Sequence, residues 1–576
     1  MRIRSKGFGE SPETVQLSWD GEPVEAQCGD TVASALIAAG QPACRDAGPD
    51  DSRGIFCGMG VCHECAVQVE GAGERLACVT PVVPGMRVSP AAPKLNLADA
   101  EPSATLPEIT LSPDLLVIGG GPAGLAAAAT AAEQGLSVVV LDERGKLGGQ
   151  YYKQPSPAFT VDESQIDTQY RSGRALIARA TKAGVQVLHG ARLWGAASAD
   201  RLFAANAEER WEIFPKRLVL AAGAYERGVP FPGWTLPGVM TTGAAQTLSR
   251  SYQVSPGERV LVAGNGPLNM QVAAELASAG AEVVALVELG HPVSFRSVLR
   301  GPVMAVSAPS LILDAARYTM ALLRAKVPVL TGSAVVHAEG GPAGVRSVRI
   351  AKIDADGRAV AGTERDFAVD AVCLGYGFLP SNELSRLLGC RHRWDEQLKS
   401  LVVDADEAGQ TSVAGVRVIG DSARVSGARV AQAAGVLAGA AVVAELTGST
   451  PSGLRSAISK AERRLARNLR FQRAANFAYA APVLTDQLAE PSTIVCRCER
   501  VALSQIADQT DELATTPGAV KRVSRAGMGK CQGRYCGPVM LERSARLREE
   551  TVAERSGFAP QAPVKPTPIS VIAAPD

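Results

Sequence analysis

The stretch Leu115-Leu116-Val117-Ile118-Gly119-Gly120-Gly121-Pro122-Ala123-Gly124 decides the fold of this chain. An apolar strand enters a G-x-G-x-x-G turn, an Ala-rich helix follows, and a second strand, Val138–Leu141, ends at Asp142. In a dinucleotide-binding unit the first glycine makes the tight turn, the second lets a pyrophosphate approach, and the third lets the helix lie close to the strand. The residues expected to bind the dinucleotide are Gly119, Gly121, Pro122, Ala123 and Gly124.

The acid that ends the second strand is expected to hold the ribose hydroxyls of this dinucleotide. Asp142 lies 23 residues after Gly119, and its neighbour Glu143 is the alternative for this role. Short apolar strands continue to alternate with Ala-rich helices to about Leu446. This alternation predicts an α/β protein built on parallel sheets.

A second strand–turn–helix pattern starts at Val260, with glycines at Gly264 and Gly266 and a following strand that ends at Glu288. The third glycine position holds Asn269, whose side chain we expect to keep the helix farther from the strand. Three states of this second unit stay open. It could bind a hydride-delivering nicotinamide, hold a nucleotide such as NAD or ATP without redox use, or be an empty structural repeat.

Eight of the twelve cysteines form two sets near the two ends of the chain. The first set has the spacing C-x4-C-x2-C-x12-C, which opens like a plant-type 2Fe-2S ferredoxin. A zinc site is the alternative, although zinc sites usually use two C-x2-C-like pairs. A Rieske centre needs two histidines, and only His63 lies within this loop. The predicted ligands are Cys57, Cys62, Cys65 and Cys78.

The second cysteine set reads C-x-C followed by C-x4-C, in a segment rich in glycine. It resembles the bacterioferritin-associated-ferredoxin (BFD)-like 2Fe-2S domain, whose simpler members use a C-x2-C second pair. The wider spacing keeps zinc open as an alternative here too. The predicted ligands are Cys496, Cys498, Cys531 and Cys536.

The other four cysteines show no C-x2-C or C-x4-C spacing beside the first dinucleotide unit, so no flavin–disulfide relay is predicted. All four are expected to be small buried hydrophobic residues. They are Cys28, Cys44, Cys373 and Cys390.

Composition and charge exclude several classes of function. The 576 residues carry a formal net charge of +1, and no zinc-finger or RNP-like pattern occurs, so nucleic acid is not an expected partner. The basic N-terminus has no apolar segment after it, which predicts no secretory signal and a cytoplasmic protein. The apolar stretch Val430–Leu446 is short for a membrane span and predicts a buried helix.

A basic helical run, Arg455–Arg473, follows that stretch. It is interpreted as a solvated helix face, with partner docking or association with the inner membrane face left open.

The composition shifts along the chain predict a succession of domains. A ferredoxin-like domain of β-grasp order precedes a Pro-rich linker, and the reductase-like domain contains an inserted second unit at about 257–370. A helical connector, a BFD-like domain and a tail that is disordered or lies on another surface complete the chain. The predicted bounds are 10–90, 91–113, 114–450, 451–490, 491–548 and 549–576.

Several further motifs resemble the FAD-binding set of glutathione and thioredoxin reductases. They are a Gly-Gly-Gln run after the second strand, an Ala-Ala-Gly-Ala turn, and a late strand that ends in Gly-Asp. The resemblance implies FAD at the first unit, with the late aspartate bonding its ribityl or pyrophosphate region. The residues that it adds to the FAD site are Gly149, Gln150, Gly223, Gly420 and Asp421.

Nearly the whole chain resembles the α (A) subunits of multi-subunit amine dehydrogenases. The motifs that carry the resemblance are both cysteine sets, Gly119–Gly124, Ala224-Tyr225-Glu226-Arg227 and Pro230-Phe231-Pro232-Gly233-Trp234, in this order. The group includes opine oxidases, hydroxyproline and proline dehydrogenases, hydrogen cyanide synthase and heterotetrameric sarcosine oxidase. It implies a partner β subunit of D-amino-acid-oxidase type with a second FAD, FMN at the subunit interface, and a quinone or carrier as electron acceptor.

The resulting prediction is an electron-transfer subunit of an enzyme that oxidises a C–N bond of an amino acid, imino acid or opine. FAD would lie between two 2Fe-2S clusters that form the terminals of the relay. No convincing acid–base pair or nucleophile is visible in the sequence, so its catalytic residues are unknown. The alternatives are a self-sufficient NAD(P)H-dependent reductase and an iron–sulfur redox sensor or scaffold.

Overall fold

The computed structural model describes residues 1–91, 106–292, 295–512 and 516–572. Its first domain is a five-stranded sheet with the strand order β2-β1-β7-β5-β6, against which helix α1 packs. The first cysteine loop connects β4 to β5. The elements of this domain are β1 Thr14–Trp19, β2 Glu22–Gln27, α1 Val32–Ala38, β3 Ala43–Gly48, β4 Asp51–Gly54, β5 Ala66–Val69, β6 Gly73–Leu76 and β7 Arg87–Pro90.

The first dinucleotide-binding unit is a parallel sheet with the order β11-β10-β9-β15-β28, in which β9 lies between β10 and β15. Helix α9 returns from late in the chain to pack against α2. Its first elements are β8 Glu108–Leu111, β9 Leu115–Ile118, α2 Pro122–Ala132, β10 Val138–Asp142, α3 Thr168–Lys182, β11 Gln186–His189, β12 Arg192–Ser198, β13 Arg201–Ala205, β14 Arg210–Ile213, β15 Arg217–Leu220 and β16 Ala224–Glu226.

The second unit is inserted before the chain returns to the first, and it repeats the same parallel plan with the order β17-β24-β18-β19-β20. Its elements are β17 Val239–Thr241, α4 Thr242–Tyr252, β18 Arg259–Gly264, α5 Pro267–Ser278, β19 Glu282–Glu288, α6 Phe295–Ser307, α7 Pro309–Arg324, β20 Val329–Thr331, β21 Ser333–Gly341, β22 Gly344–Lys352, β23 Arg365–Ala368, β24 Ala371–Gly375 and β25 Phe378–Pro380. The return to the first unit consists of α8 Glu383–Leu387, β26 His392–Asp395, β27 Ser400–Val403, β28 Val416–Val418 and α9 Ala428–Thr447.

The C-terminal part joins a long helix to a small helical domain that holds the second cysteine set. Its elements are α10 Ser452–Ala478, β29 Ile494–Cys496, β30 Val501–Ala502, α11 Leu503–Glu512, α12 Pro517–Ser524, α13 Gly537–Leu547 and α14 Ile569–Ile572. The predicted order of an α/β flavoprotein core between two small cluster domains is confirmed.

The first domain shares an apolar core with the second dinucleotide unit. Leu36 of α1, Leu248 of α4 and Val262 of β18 belong to one buried cluster. Burial of apolar surface is the main force that holds domains together. The ferredoxin-like domain is therefore fixed on the reductase-like core.

The structure alters the expected linker and the expected burial of one cysteine, and for the tail it shows the second of the two predicted alternatives. Residues 108–111, inside the predicted linker, form strand β8, which pairs with β14; residues 92–105 lie outside the described residues. The tail is in contact with the core through residue 572, because Val564 donates its N–H to the Trp194 carbonyl and Val571 is buried. Cys28 is exposed, whereas Cys44, Cys373 and Cys390 are buried as expected.

Helix α9 is the one helix of the described chain that is long and apolar enough to cross a membrane. Its most apolar window is 56% buried inside the protein. A Cβ at Gly435 would lie 2.2 Å from the Ala123 carbonyl oxygen, and one at Gly439 would lie 2.5 Å from that of Ala127. Both glycines thus let α9 pack closely on α2, as the buried-helix prediction requires.

Candidate electron-transfer site

The glycine loop of the first unit lies at the carboxyl edge of its sheet, where β9 meets α2. Gly119 has a φ of +107°, a conformation that favours glycine. A Cβ at Gly124 would lie 1.9 Å from the Gly119 carbonyl oxygen, so only glycine lets α2 approach the strand this closely. Gly121 precedes α2 without a side-chain cap, which leaves the N-terminal N–H groups of the helix pointing toward an anion site.

Asp142 is the acid that faces this loop. Its Oδ2 accepts from the Gly120 N–H at 2.7 Å and its Oδ1 from the Arg144 N–H at 2.9 Å. Burial raises the pKa of Asp142, and those two hydrogen bonds oppose the shift. The neighbouring Glu143 is exposed and pairs with Lys565 of the tail. Both oxygens of Asp142 are therefore bonded to backbone N–H groups, whereas the more exposed Glu143 carboxylate pairs with a lysine side chain.

The late Gly-Asp motif meets the first glycine loop in space. A Cβ at Gly420 would lie 2.9 Å from the Ala123 Cβ. The Asp421 carboxylate accepts from the N–H groups of Ser426 at 2.9 Å and Gly427 at 3.0 Å, and burial raises its pKa. Residues about 300 positions apart thus lie together at the carboxyl ends of the strands. In a doubly wound fold, ligands bind at this edge, where the strand order reverses.

The Gly-Gly-Gln run and the turn at Gly223 lie around the same loop. Gly148 donates its N–H to the Gly120 carbonyl at 2.9 Å, and a Cβ at Gly149 would lie 2.8 Å from the Gly121 Cα. The Gln150 carbonyl accepts from Lys153 Nζ at 2.5 Å. The turn that ends at Gly223 follows β15, the strand that pairs with β9. The structure therefore brings the predicted FAD residues of the reductase motifs to one place.

Two buried ionisable residues of this site were missed in the sequence. Lys153 also donates to Gln246 Oε1 at 2.9 Å, while the Glu226 carboxylate accepts from the Gly243 N–H at 2.9 Å. Burial lowers the pKa of Lys153 to about 7 and raises that of Glu226 to about 7. Glu226 belongs to the Ala-Tyr-Glu-Arg run, which could have indicated it. Lys153 carries no motif.

A small cavity of about 60 Å³ lies between the first cysteine loop and the first dinucleotide unit. Gly58 and Cys78 line one side, and Lys146, Gly149 and Lys153 line the other. Burial and the nearby Arg144 lower the pKa of Lys146 to about 8. The first cysteine set therefore borders the FAD residues directly.

The first cysteine set converges in space. All four side chains are buried; the Cys57 thiol is within hydrogen-bonding reach of Cys62 and Cys78, and Cys78 is within reach of Cys65. Backbone N–H groups also point at the sulfurs, since Met59 and Glu64 donate to Cys57 and Cys62 at 3.5 Å. Such N–H···S contacts are typical of iron–sulfur loops.

The second cysteine set converges in the same manner. Cys496 lies within hydrogen-bonding reach of Cys536, and Cys498 lies within reach of Cys531. Within the described ranges, no three His, Cys, Asp or Glu side chains are grouped around one metal-ion position. Thiols that pair two by two suit a cluster with two irons.

The two cysteine sets lie side by side, although 431 residues separate Cys65 from Cys496. Cys498 Sγ is 4.0 Å from the Cys62 carbonyl oxygen. Glu64, just before Cys65, pairs with Arg497, which lies between Cys496 and Cys498. The sequence-based interpretation put the two clusters at opposite ends of a flavin relay. That arrangement is wrong, because the fold brings the two ends of the chain together.

Glu64 links the two loops through a buried ionic network. Its side chain is 0% exposed, with Arg45 Nη2 at 3.1 Å, Arg497 Nη2 at 3.2 Å and Arg53 Nε at 3.7 Å. Burial pushes the pKa of Glu64 upward, but the three guanidinium groups outweigh it and hold the pKa below its usual value. A buried carboxylate with this many cations stays charged.

Aromatic side chains surround this junction. The Arg497 guanidinium lies over the rings of Phe56 at 4.0 Å and Trp234 at 4.6 Å. Tyr535 contacts Phe56 at 5.3 Å between ring centroids, and Tyr225 at 5.9 Å. Tyr225 follows the turn at Gly223, so aromatic rings connect both cysteine loops with the edge of the FAD site.

The second dinucleotide unit differs from the first at the third glycine position, which Asn269 occupies. Asn269 is fully buried; its Nδ2 donates to the Gly375 carbonyl at 3.0 Å, and its Oδ1 accepts from Thr242 Oγ1 at 2.9 Å. A Cβ at Gly264 would lie 2.5 Å from this Nδ2, so the amide fills the space between α5 and the sheet. Glu288 accepts from the Gly266 N–H at 2.9 Å, and burial raises its pKa to about 8.

Comparison with known families assigns all three parts of the chain. Residues 113–435 match the pyridine nucleotide-disulphide oxidoreductase family, residues 12–93 a 2Fe-2S iron-sulfur cluster binding domain, and residues 494–542 a BFD-like [2Fe-2S] binding domain. The chain belongs to the pyridine nucleotide-disulphide oxidoreductase family. It is an oxidoreductase that uses FAD and carries two 2Fe-2S domains, as predicted.

Two curated relatives cover most of the chain. It is 31% identical to the A-type subunit of opine oxidase from Agrobacterium tumefaciens (strain Ach5), over 80% of this chain and 91% of the relative. It is also 31% identical to the HcnB subunit of hydrogen cyanide synthase from Pseudomonas aeruginosa, over 79% of this chain and 97% of the relative. The predicted resemblance to this group of subunits is confirmed, and the relatives' names imply further subunits.

A solved structure shares the whole fold. L-proline dehydrogenase from P. horikoshii superposes with a TM-score of 0.71 at 20% identity, over 100% of both chains. At this identity the likeness shows the fold only. The arrangement of the domains therefore has a precedent in a full-length structure.

Proposed function

We propose that this chain is the electron-transfer subunit of a multi-subunit dehydrogenase or oxidase that acts on a C–N bond of an amino acid, imino acid or opine. FAD and the two 2Fe-2S clusters would relay the electrons to an acceptor. A flavin can take two electrons together, whereas a 2Fe-2S cluster takes one at a time. Relatives named as subunits of opine oxidase and of sarcosine oxidase support this class of substrate.

The local geometry supports a proposed set of cofactor ligands. In the first unit the uncapped start of α2 and the glycine loop suit the pyrophosphate of FAD, and Asp142 and Asp421 suit its hydroxyl groups. We propose the FAD ligands Gly119, Gly121, Pro122, Ala123, Gly124, Asp142 with Glu143 as its alternative, Gly149, Gln150, Gly223, Gly420 and Asp421. We propose the cluster ligands Cys57, Cys62, Cys65, Cys78, Cys496, Cys498, Cys531 and Cys536.

The single observation that carries the proposal is the contact between the two cysteine loops beside the FAD site. Cys62 and Cys498 belong to neighbouring loops, and the first loop shares a cavity with the Lys146–Gly149 segment. Clusters held by these ligands would therefore be neighbours, and the first would lie next to the flavin unit. This order lets an electron move between the clusters without crossing the flavin site.

A partner chain completes the proposed enzyme. We propose a β subunit of D-amino-acid-oxidase type that carries a second FAD and oxidises the substrate, with FMN at the interface and a quinone or carrier as acceptor. The relatives' names support the presence of further subunits. The proposed location is the cytoplasm. We also propose that the buried side chains of Lys153 and Glu226 transfer protons beside the flavin of this chain.

The rival function is a self-sufficient NAD(P)H-dependent reductase that uses the second unit. Asn269 disfavours this rival, because its amide occupies the space between α5 and the sheet. Tyr479 also covers the second loop, since its carbonyl accepts from Asn265 Nδ2 at 3.0 Å.

Co-expression tests the proposed function. The chain is produced with a candidate flavoprotein partner, and the purified complex is assayed for dye reduction with amino acids, imino acids and opines. We expect turnover by the complex and none by either chain alone. A complex that assembles with all cofactors but oxidises no C–N substrate would refute the proposal.

A further inference from the structure

An exposed apolar surface is present on the second dinucleotide unit. Helices α6 and α7 are joined at Ala308, and both carry large apolar side chains that are 40–82% exposed. Those on α6 are spaced i, i+4 and i+7, so they share one side of the helix. We call this the apolar hairpin, and its side chains are Leu299, Val303, Val306, Leu313, Met320 and Leu323.

The opposite side of the hairpin already has its packing partners. Leu322 of α7 is 2% exposed within the core that includes α5, and α6 packs along α10. The amphipathic helices therefore present a second apolar side outward. Contiguous exposed apolar patches on proteins usually mark sites of interaction with another protein or a membrane.

A strongly basic helix lies next to the hairpin. Between Arg455 and Arg473, α10 has seven exposed cations and one acid, Glu462. None of the seven forms an ion pair in the part of the chain that the structure describes. At 100° per residue they cover one half of the helix surface, away from the buried Leu454, Ala461 and Leu465. We call this set the basic face: Arg455, Lys460, Arg463, Arg464, Arg467, Arg470 and Arg473.

The apolar hairpin and the basic face are joined. The Arg300 guanidinium of α6 lies 5.0 Å from the centre of the Phe477 ring, which is part of α10 and is itself 38% exposed. Arg429 at the start of α9 also donates to Ser310 Oγ of α7 at 3.0 Å. Apolar side chains and unpaired cations thus border each other on one part of the protein surface.

We infer that the apolar hairpin and the basic face together bind an anionic phospholipid surface. Apolar side chains that enter the acyl boundary and cations that bind anionic head groups are the two attractions of a peripheral membrane protein. An anionic lipid surface can neutralise all seven cations at once, whereas a protein partner would need a carboxylate placed opposite each of them. Trp and Tyr, which are enriched at the centres of protein interfaces, do not occur among the six hairpin side chains.

This inference goes beyond the proposed function, and it does not depend on the substrate. Helix α9, the longest apolar helix, is held against α2 and α10, so the hairpin rather than α9 is available to the lipid. The chain would therefore lie on the membrane surface without crossing it.

Vesicle sedimentation with the full-length, cofactor-loaded chain tests the inference. We expect binding to vesicles of phosphatidylcholine with phosphatidylglycerol, weaker binding at high salt, and little binding to phosphatidylcholine alone. The triple change Arg463→Gln, Arg464→Gln and Arg467→Gln should weaken binding roughly a hundredfold. The matched control removes three exposed cations elsewhere, Arg346→Gln, Arg358→Gln and Arg365→Gln, and should bind like the wild type.

The apolar part is tested separately. The double change Val306→Ser and Leu313→Ser should weaken binding to the same vesicles, whereas Val83→Ser, at an exposed apolar residue of the first domain, should not. Absence of wild-type binding to anionic vesicles, or equal binding by the triple variant and its control, would overturn the inference. A stable protein complex that covers the hairpin and abolishes vesicle binding would also overturn it and assign the surface to a protein partner.

Discussion

The two dinucleotide-binding units have the same strand–turn–helix plan, yet they differ in what surrounds their glycine loops. In the first unit Gly124 lets α2 approach β9, and the loop opens toward Asp421 and the first cysteine set. In the second unit the Asn269 amide fills the equivalent space, and Tyr479 covers the loop. The difference teaches that one strand–turn–helix plan can have two surroundings: the first loop borders the predicted FAD residues, whereas the second unit shares an apolar core with the ferredoxin-like domain.

The largest expected effect comes from closing the first unit. The change Gly124→Val should reduce the FAD content to less than about a tenth of the wild type, because the side chain would collide with the Gly119 carbonyl and displace α2. Flavin is measured by absorbance after release from the purified protein. Gly145→Ala is the matched control, since no atom lies within 4 Å of its Cβ position. A wild-type flavin content in Gly124→Val would contradict the assignment of the flavin to the first unit.

The next effect concerns the junction of the two cysteine loops. The change Arg497→Ala leaves the buried Glu64 carboxylate with fewer cations. It should lower the free energy of unfolding by on the order of 3 kcal/mol. The loss of iron–sulfur absorbance in a urea titration measures it.

Arg500→Ala is the control for this junction. Arg500 pairs with Asp51 between the same domains, but its side chain is 43% exposed. Its removal should therefore lower the free energy of unfolding by less than about 1 kcal/mol. Equal effects of the two changes would show that the buried network does not hold the loops together.

Opening the second unit should have a smaller effect. Asn269→Gly removes two buried hydrogen bonds and should cost about 2 kcal/mol of stability. NADH should fail to bleach the flavin in both the wild type and this variant. Asn476→Gly, at an exposed helix position, should cost less than about 1 kcal/mol. Rapid bleaching of the wild-type flavin by NADH would show that the second unit is a working nicotinamide site. The two units would then no longer differ in cofactor binding.

The last effect is a dependence on pH, which changes the melting temperature by only a few degrees. Folded Glu288 keeps its proton up to about pH 8, whereas the unfolded side chain loses it near 4.5. The folded state therefore binds more protons between these values, and the free energy of unfolding falls as the pH rises through this window. Between pH 5 and pH 8 the melting temperature of Glu288→Gln should fall less than that of the wild type, by roughly a few degrees. Parallel pH profiles would contradict the raised pKa.

The local parts of this site could be predicted from the sequence. The glycine loops, the acids after them and both cysteine sets are short patterns whose spacing fixes their geometry. The presence of Asn269 at the third glycine position of a known motif was also visible in the sequence. These features depend on neighbours in the chain, which a sequence displays directly.

The long-range parts could not be predicted in this way. The Glu64–Arg497 pair and the contact of Cys62 with Cys498 join residues more than 430 positions apart. No periodicity marks Lys153 as buried, and only the fold shows that Phe56 and Tyr535 share a contact. The assumption that sequence order gives relay order therefore failed, because domain packing decides which cofactor sites are neighbours.

The central claim is that the two clusters are immediate neighbours beside a single flavin. Low-temperature electron paramagnetic resonance of the fully reduced, cofactor-loaded chain tests it most directly. The account predicts signals from two reduced 2Fe-2S clusters per chain, broadened or split by their magnetic interaction. Two sharp signals that do not interact, or a single cluster per chain, would contradict it.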